Sequence, residues 1–420
     1  MRHPDLHGPE GRERGLAQRP QVGGGGVGHV EREDQIADEL DLHTIVTDEE
    51  FRDLVDRDPI TEAEFDALAA TPGPAPARPG REGRMIVLTS GTTGTPKGAR
   101  RPPISNLGPA AAILSVIPMR AGEPVLVAAP LFHTWGNAGL LLTLLQGGTV
   151  VLRRRFDPAE LLDTVEEQRV DTIVAVPVMA QRLFESGVGW RGHRPRIVAV
   201  SGSALPSGLA GEFMDRFGDC LYNLYGSTEV SWVSIAAPRD LRESPGTAGR
   251  APAGTVLRIL DDDGRAVPPG TDGRVFVGND MPFEGYTRPG TEIETHDGLI
   301  GTGDLGHLDD AGRLHLTGRG DDMIVSGGEN VHPGPVEDLI AADDAVREVA
   351  VVGVPDERFG QRLAAYVVLR PGASLDEDGV RDLVRAKAAR FAVPRDVVFL
   401  DELPRNQTGK VVSRELPTLD

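Results

Sequence analysis

The sequence predicts an α/β protein: a large N-terminal domain with parallel-rich α/β sheets and a β-rich subdomain, followed by a small α+β C-terminal domain. Three observations carry this. Strand-like and helix-like stretches alternate from residue 85 to about 222, the βαβ rhythm that gives a parallel sheet covered by helices. After Tyr222 short apolar runs are separated by acidic Gly-containing turns, as in antiparallel hairpins. From Asp321 a third texture mixes Pro-initiated helices with strands.

In chain order, residues 1–41 come first. They are rich in Gly, Arg, Glu and His, hold Gly23 to Gly26 in a row and show neither periodicity, so a disordered leader is expected. A short strand in Asp-Leu-His-Thr-Ile-Val follows, then an acidic helical stretch with Phe51 and Leu54, then a Pro-rich linker over 71–80. Residues 85–88 are an apolar strand. Strands are expected at 149–152, 172–176 and 196–200. Between the first two lies a helix with Asp157 as N-cap, Pro158 in its first turn and Leu161, Leu162 and Val165 on one face. Another helix is expected over 206–217. Strands at 256–260 and 274–277 flank an Asp-Asp-Asp-Gly turn, and one at 313–317 follows Asp-Asp-Ala-Gly. These turns lack the ligand spacing and distal Glu of a calcium loop. The last region predicts a helix with Val336, Leu339 and Ile340, strands at 349–354 and 364–369, and a helix opened by a capping box, Ser374 to Glu377. The expected divisions are 1–41, 42–320 and 321–420.

Composition narrows the partners. The 420 residues carry 44 Lys plus Arg against 64 Asp plus Glu, a formal charge of -20, which argues against nucleic acid as the main partner. With one cysteine, Cys220, no intrachain disulfide and no Cys-based zinc site can form, and a reducing cytoplasm fits. The strongly apolar stretch 138–145 falls far short of the roughly 20 residues that span a bilayer and is expected to be a core helix. No transmembrane segment or secretory signal is evident.

Residues 88–98 read LTSGTTGTPKG, a cradle for phosphate. Gly91, Gly94 and Gly98 let backbone N–H groups approach an anion, Ser90, Thr92, Thr93 and Thr95 add hydroxyls, and Lys97 adds a charge. A Walker A loop needs Gly-Lys followed by Ser or Thr. Lys97 lies between Pro96 and Gly98, and Gly409-Lys410 is followed by Val411, so both fail.

The run from Thr89 to Lys97 resembles the phosphate loop of the adenylate-forming superfamily, which includes acyl-CoA synthetases. Further runs match it in order and spacing: Tyr225-Gly-Ser-Thr-Glu229, Thr302-Gly-Asp304, Gly318-Arg319 and the C-terminal Pro404-Arg-Asn-Gln-Thr-Gly-Lys410. By the resemblance, Tyr225 and Gly226 line the adenine and acyl sites, Thr228 binds the α-phosphate and Glu229 holds Mg²⁺. Asp304 and Arg319 contact the ribose, Asp321 is the domain hinge, and Lys410 stabilises the transition state of adenylate formation. Gly202, Ser203 and Ala204 end a strand near adenine and acyl chain. The resemblance also puts His133, Trp135 and Gly226 at the acyl pocket, with His133 gating or lining it. Gly327, Gly328 and Glu329 belong to the stretch that forms the CoA tunnel.

The activity so implied is an ATP- and Mg²⁺-dependent ligase that makes an acyl-AMP and then an acyl-CoA from a carboxylic acid, expected to be a medium or long-chain fatty acid. The resemblance admits a homodimer. Two alternatives stand beside it: a fatty-acyl-AMP ligase that loads a carrier protein, and a catalytically silent remnant. The second arises because only residues 42–84 look family-like before the phosphate loop, so an upstream part of the large domain is expected to be missing.

Overall fold

The computed structural model describes residues 46–47, 60–61, 67, 70, 85–89, 97–102, 106–281, 283–287, 293–320, 323–326, 329–356, 360–406 and 409–419. The expected leader 1–41, the linker 71–80, Ser90, Gly91, Thr92, Thr93, Gly94, Thr95, Asp321, Gly327 and Gly328 lie outside them. The chain divides into two units, Met1–Arg78 and Pro79–Asp420. In the first, two short strands, Val46–Thr47 and Ile60–Thr61, pair in parallel.

In the second unit, a six-stranded sheet runs in the order Ser234–Ala236, Leu221–Tyr225, Ile197–Ser201, Thr172–Ala175, Pro124–Val127, Thr149–Leu152. All neighbours are parallel except the antiparallel edge strand Ser234–Ala236. Thr172–Ala175 and Ile197–Ser201 are buried at every residue, which is why they read as unbroken apolar runs rather than alternating ones. One core holds Leu161, Leu162, Leu183, Phe213 and Met214; the other holds Ile113, Trp135 and Leu142. The helix Pro158–Gln168 starts as expected: the Asp157 carboxylate accepts from the N–H groups of Ala159 at 2.9 Å and Glu160 at 3.0 Å.

Two expectations are corrected. Residues 138–145 lie in the helix Thr134–Leu145, which buries Gly139, Leu142 and Thr143 but exposes Leu141, Leu144 and Leu145. It is a surface helix packed by one stripe, and a Cβ at Gly139 would sit 2.9 Å from Val174 of the sheet below. Nor does Ser374 open the last helix. Glu377–Arg385 is capped by Asp376, whose Oδ1 accepts from Gly379 N at 2.8 Å.

The β-rich part is a five-stranded antiparallel sheet, Val256–Leu260, Gly273–Gly278, Leu299–Leu308, Thr295–His296, with Leu314–Arg319 also on Leu299–Leu308. The C-terminal sheet orders Glu329–Val331, Ile324–Ser326, Gly360–Leu369, Val346–Asp356, with Asp396–Phe399 parallel to Gly360–Leu369. Val336, Ile340, Val351, Leu363, Val380 and Val384 give this region its own core. Among the described residues no helix is long and apolar enough to cross a membrane.

Candidate active site

The phosphate-loop run is framed by an antiparallel hairpin, Met85–Thr89 against Lys97–Arg101, with Thr89 opposite Lys97. The loop therefore joins strand to strand, unlike a P-loop, which feeds a helix. On its other side the second strand meets residues 284–287: Arg100 N donates to Gly285 O at 2.9 Å, Thr287 N to Gly98 O at 2.7 Å, and Ala99 bridges Tyr286. This approach needs Gly98. A Cβ there would lie 2.8 Å from the Thr287 side chain.

Tyr225 ends its parallel strand, and open parallel sheets present ligands at that edge. The chain then folds back so closely that a Cβ at Gly226 would lie 2.2 Å from Ser231 O. That turn leaves Thr228 and Glu229 half-buried. Glu229 Oε1 accepts from the Tyr286 hydroxyl and Oε2 from Ser227 Oγ, both at 2.8 Å. In the β-rich sheet, Asp304 and Arg319 are register partners, with Arg319 Nε 3.7 Å from Asp304 Oδ1. The Tyr225 hydroxyl donates to Asp304 Oδ2. Burial, and then the Asp304 carboxylate, hold the Tyr225 phenol well above its ordinary pKa, so it stays a donor.

Lys410 arrives on a tight loop. Asn406 N donates to Lys410 O and Lys410 N to Asn406 Oδ1, each at 3.0 Å, and Gly409 turns at φ +81°. Gly409 presses on the helix Pro177–Glu185, where a Cβ would meet Val178 at 2.7 Å. The Lys410 side chain keeps solvent access, yet enough protein surrounds it to desolvate the ammonium. This desolvation and the Arg319 charge lower its pKa, while Glu229 and Asp304 oppose the shift.

His133 is the N-cap residue of the helix Thr134–Leu145, half-buried, with its pKa lowered by burial and by Lys410. Trp135, expected in the acyl pocket, is instead a core residue at 6% exposure. Its indole N–H donates to the carbonyls of Ala175 at 3.1 Å and Ala199 at 3.3 Å, bracing two neighbouring strands. Gly202 follows the Ile197–Ser201 strand at φ +106°, with Ser203 half-buried and Ala204 exposed. Glu329 is exposed and paired with Ser326.

The model of the AMP-binding enzyme family matches residues 27–287, and that of the AMP-binding enzyme C-terminal domain matches 335–410. The chain belongs to the AMP-binding enzyme family. The family match begins inside the stretch expected to be a leader. The indoleacetate–CoA ligase of Aromatoleum aromaticum is 35% identical over 359 residues, covering 84% of this chain and 69% of that protein. A feruloyl-CoA synthase of an Amycolatopsis species is 35% identical over 339 residues, 79% of this chain and 69% of that one. ATP-bound MatB from Rhodopseudomonas palustris superposes with a TM-score of 0.82 at 29% identity, covering 92% of this chain and 81% of that one. The chain is thus an acid–thiol ligase with the adenylate-forming fold.

Two residues at the family site escaped the sequence reading. Arg101, 2% exposed, donates to Met281 O at 3.2 Å and to Thr228 O. Tyr286 orients Glu229, and burial followed by that carboxylate pushes its phenol pKa up. A local signal existed for each, an arginine four residues after Lys97 and a tyrosine in Glu-Gly-Tyr-Thr. Their partners did not show in sequence.

Proposed function

We propose that the chain condenses ATP with a carboxylic acid of apolar body, a medium or long-chain fatty acid first, and passes the acyl group from acyl-AMP to CoA. The convergence of Lys410, Glu229, Asp304 and Arg319 on one cleft beside the phosphate-loop hairpin carries this reading. Asp304 and Arg319 hold the ribose, the loop residues and Thr228 hold the phosphates, and Lys410 offsets charge as pyrophosphate leaves. Leu131 and Phe132, both exposed beside His133, suit an apolar acyl chain. The relatives' names, indoleacetate and feruloyl, make aryl acids the competing class. Turning about Asp321, the small domain then presents Gly327, Gly328 and Glu329 to the CoA thiol. A pyrophosphate-release screen across fatty and aryl acids, with and without CoA, tests this. Fatty acids should give the highest kcat/KM and a CoA thioester; preference for aryl acids overturns the substrate class, and no release with any acid overturns the reading.

Among the described residues no group of three or more His, Cys, Asp or Glu could form a metal cage. One oriented carboxylate does fit Mg²⁺, which keeps waters and takes substrate phosphates beside one or two carboxylates. Glu229 would hold it, and the ion would supply charge to neutralise the phosphates. Tyr286→Phe should then shrink the rise in melting temperature given by MgATP, by about 1 kcal/mol of binding, but not the rise given by metal-free ATP. Equal losses would assign the hydroxyl to the nucleotide itself.

The lowered Lys410 pKa gives a pH signature. The ammonium is the acting form, so single-turnover acyl-AMP formation should fall as pH rises through a value below 10.5. Between that value and 10.5 the unfolded chain binds more protons at this residue, so its contribution to stability rises with pH over the same window. Thioester formation from supplied acyl-AMP should lack this alkaline limb; a shared limb would point to another group.

A further inference from the structure

The loop that carries Lys410 is tied to the large domain by a chain of polar contacts that neither half of the site uses. In the helix Pro177–Glu185, Glu185 accepts both Nε and Nη2 of Arg347 at 2.8 Å. Gln181 Nε2 donates to Glu185 at 3.0 Å and to Glu348 Oε1 at 3.4 Å. Glu348 Oε2 accepts from Arg405 Nη2 at 2.7 Å, and Arg405 Nη1 donates to Gly409 O at 2.6 Å. That carbonyl immediately precedes Lys410.

The backbone explains how Arg347 and Glu348, adjacent in a strand, serve one relay. Consecutive strand residues normally point to opposite faces. Here Val346 pairs with Leu369 and Glu348 with Val368, so Arg347 is an extra residue in a bulge. The bulge lets both side chains reach the same helix. Burial adds weight: the Glu348 side chain is 9% exposed and Arg405 24%, so these contacts are screened far less than surface pairs.

We infer that Arg405 and Glu348, with Gln181 and Glu185, are positioning residues that fix the Lys410 loop for acyl-AMP formation and let go for thioester formation. The inference rests on the proposed two-step function. Gln181 and Glu185 sit on a helix of the large domain, and Glu348 and Arg405 in the C-terminal region, so a rotation of the small domain breaks the relay at Gln181–Glu348 and Glu185–Arg347. No contact with ATP or acid is required of any of the four.

The test separates the half-reactions by single turnover in Glu348→Gln, Arg405→Met and Glu185→Gln. Acyl-AMP formation should fall about 10- to 100-fold, the scale of a misplaced catalytic group. Thioester formation from supplied acyl-AMP should hold or rise, and Arg405→Lys should recover part of the first step. Loss in both steps alike, or in neither, overturns the relay. Glu185→Gln, at the outer end and partly exposed, serves where a buried substitution unfolds the chain. Lys410→Ala in the same assay distinguishes the failures: if it splits the two steps and the relay variants do not, only the relay falls, whereas if it does not split them the proposed function falls.

Discussion

Lys410→Ala should slow acyl-AMP formation by at least ~10²-fold and leave thioester formation from preformed acyl-AMP nearly intact. A preorganised donor aimed at developing phosphoryl charge contributes on that scale, and more in a desolvated cleft than in water. The ammonium has the required setting, since Glu229 and Asp304 favour its charged form against the cost of burial. A second readout needs no turnover. Burial and then the Lys410 charge depress the His133 pKa, so the imidazole pKa, followed by NMR, should rise part of the way back in the variant. An unchanged His133 would place the ammonium elsewhere in solution, and equal loss in both steps would remove it from the chemistry.

What was legible in the sequence follows physical lines. The central strands announced themselves because burial on both faces leaves almost only apolar residues, and Asp157-Pro158 marked its helix because both act within its first turn, the carboxylate on the free N–H groups and the proline through its fixed φ. The helix Thr134–Leu145 misled for the opposite reason. A run apolar all round has no stripe, so nothing local tells which leucines meet the sheet. Ser374 and Asp376 compete as caps within one turn, and the structure takes the residue next to the first helical one.

The site divides the same way. Loop and strand-end residues were readable through their motif resemblance, because their positions follow from local turns such as Gly226 and Gly409. Contacts made across the fold were not. Tyr225 and Asp304 lie 79 residues apart and Glu229 and Tyr286 57 apart, and no periodicity links them. Trp135 was misplaced because an aromatic beside His133 reads the same whether it faces ligand or core; two carbonyls aimed at its N–H decide for the core. The bulge at Arg347, which gives the relay its geometry, is likewise a property of strand pairing rather than of the residues themselves.

Arg101→Met tests the deepest of these hidden contacts. At 2% exposure the guanidinium is desolvated enough to pull its pKa down to about 10 against the raising effect of Glu229. Replacing it relieves that burial, of order 3 kcal/mol by the pKa shift. Against this stand two charge-assisted hydrogen bonds, roughly 1.5–3 kcal/mol each, and the carbonyls of Thr228 and Met281 left without their donor at about 1–3 kcal/mol each. The losses exceed the relief, so the variant should be destabilised by roughly 2 kcal/mol or more, read from the midpoint of urea unfolding at unchanged m-value. Arg101→Lys should recover little, because one ammonium cannot reproduce a fork spanning two carbonyls. Because Thr228 precedes Glu229, the damage should also reach nucleotide binding, with a higher KM for ATP in the folded fraction. An unchanged midpoint in both variants would show that this arginine does not hold the two segments together.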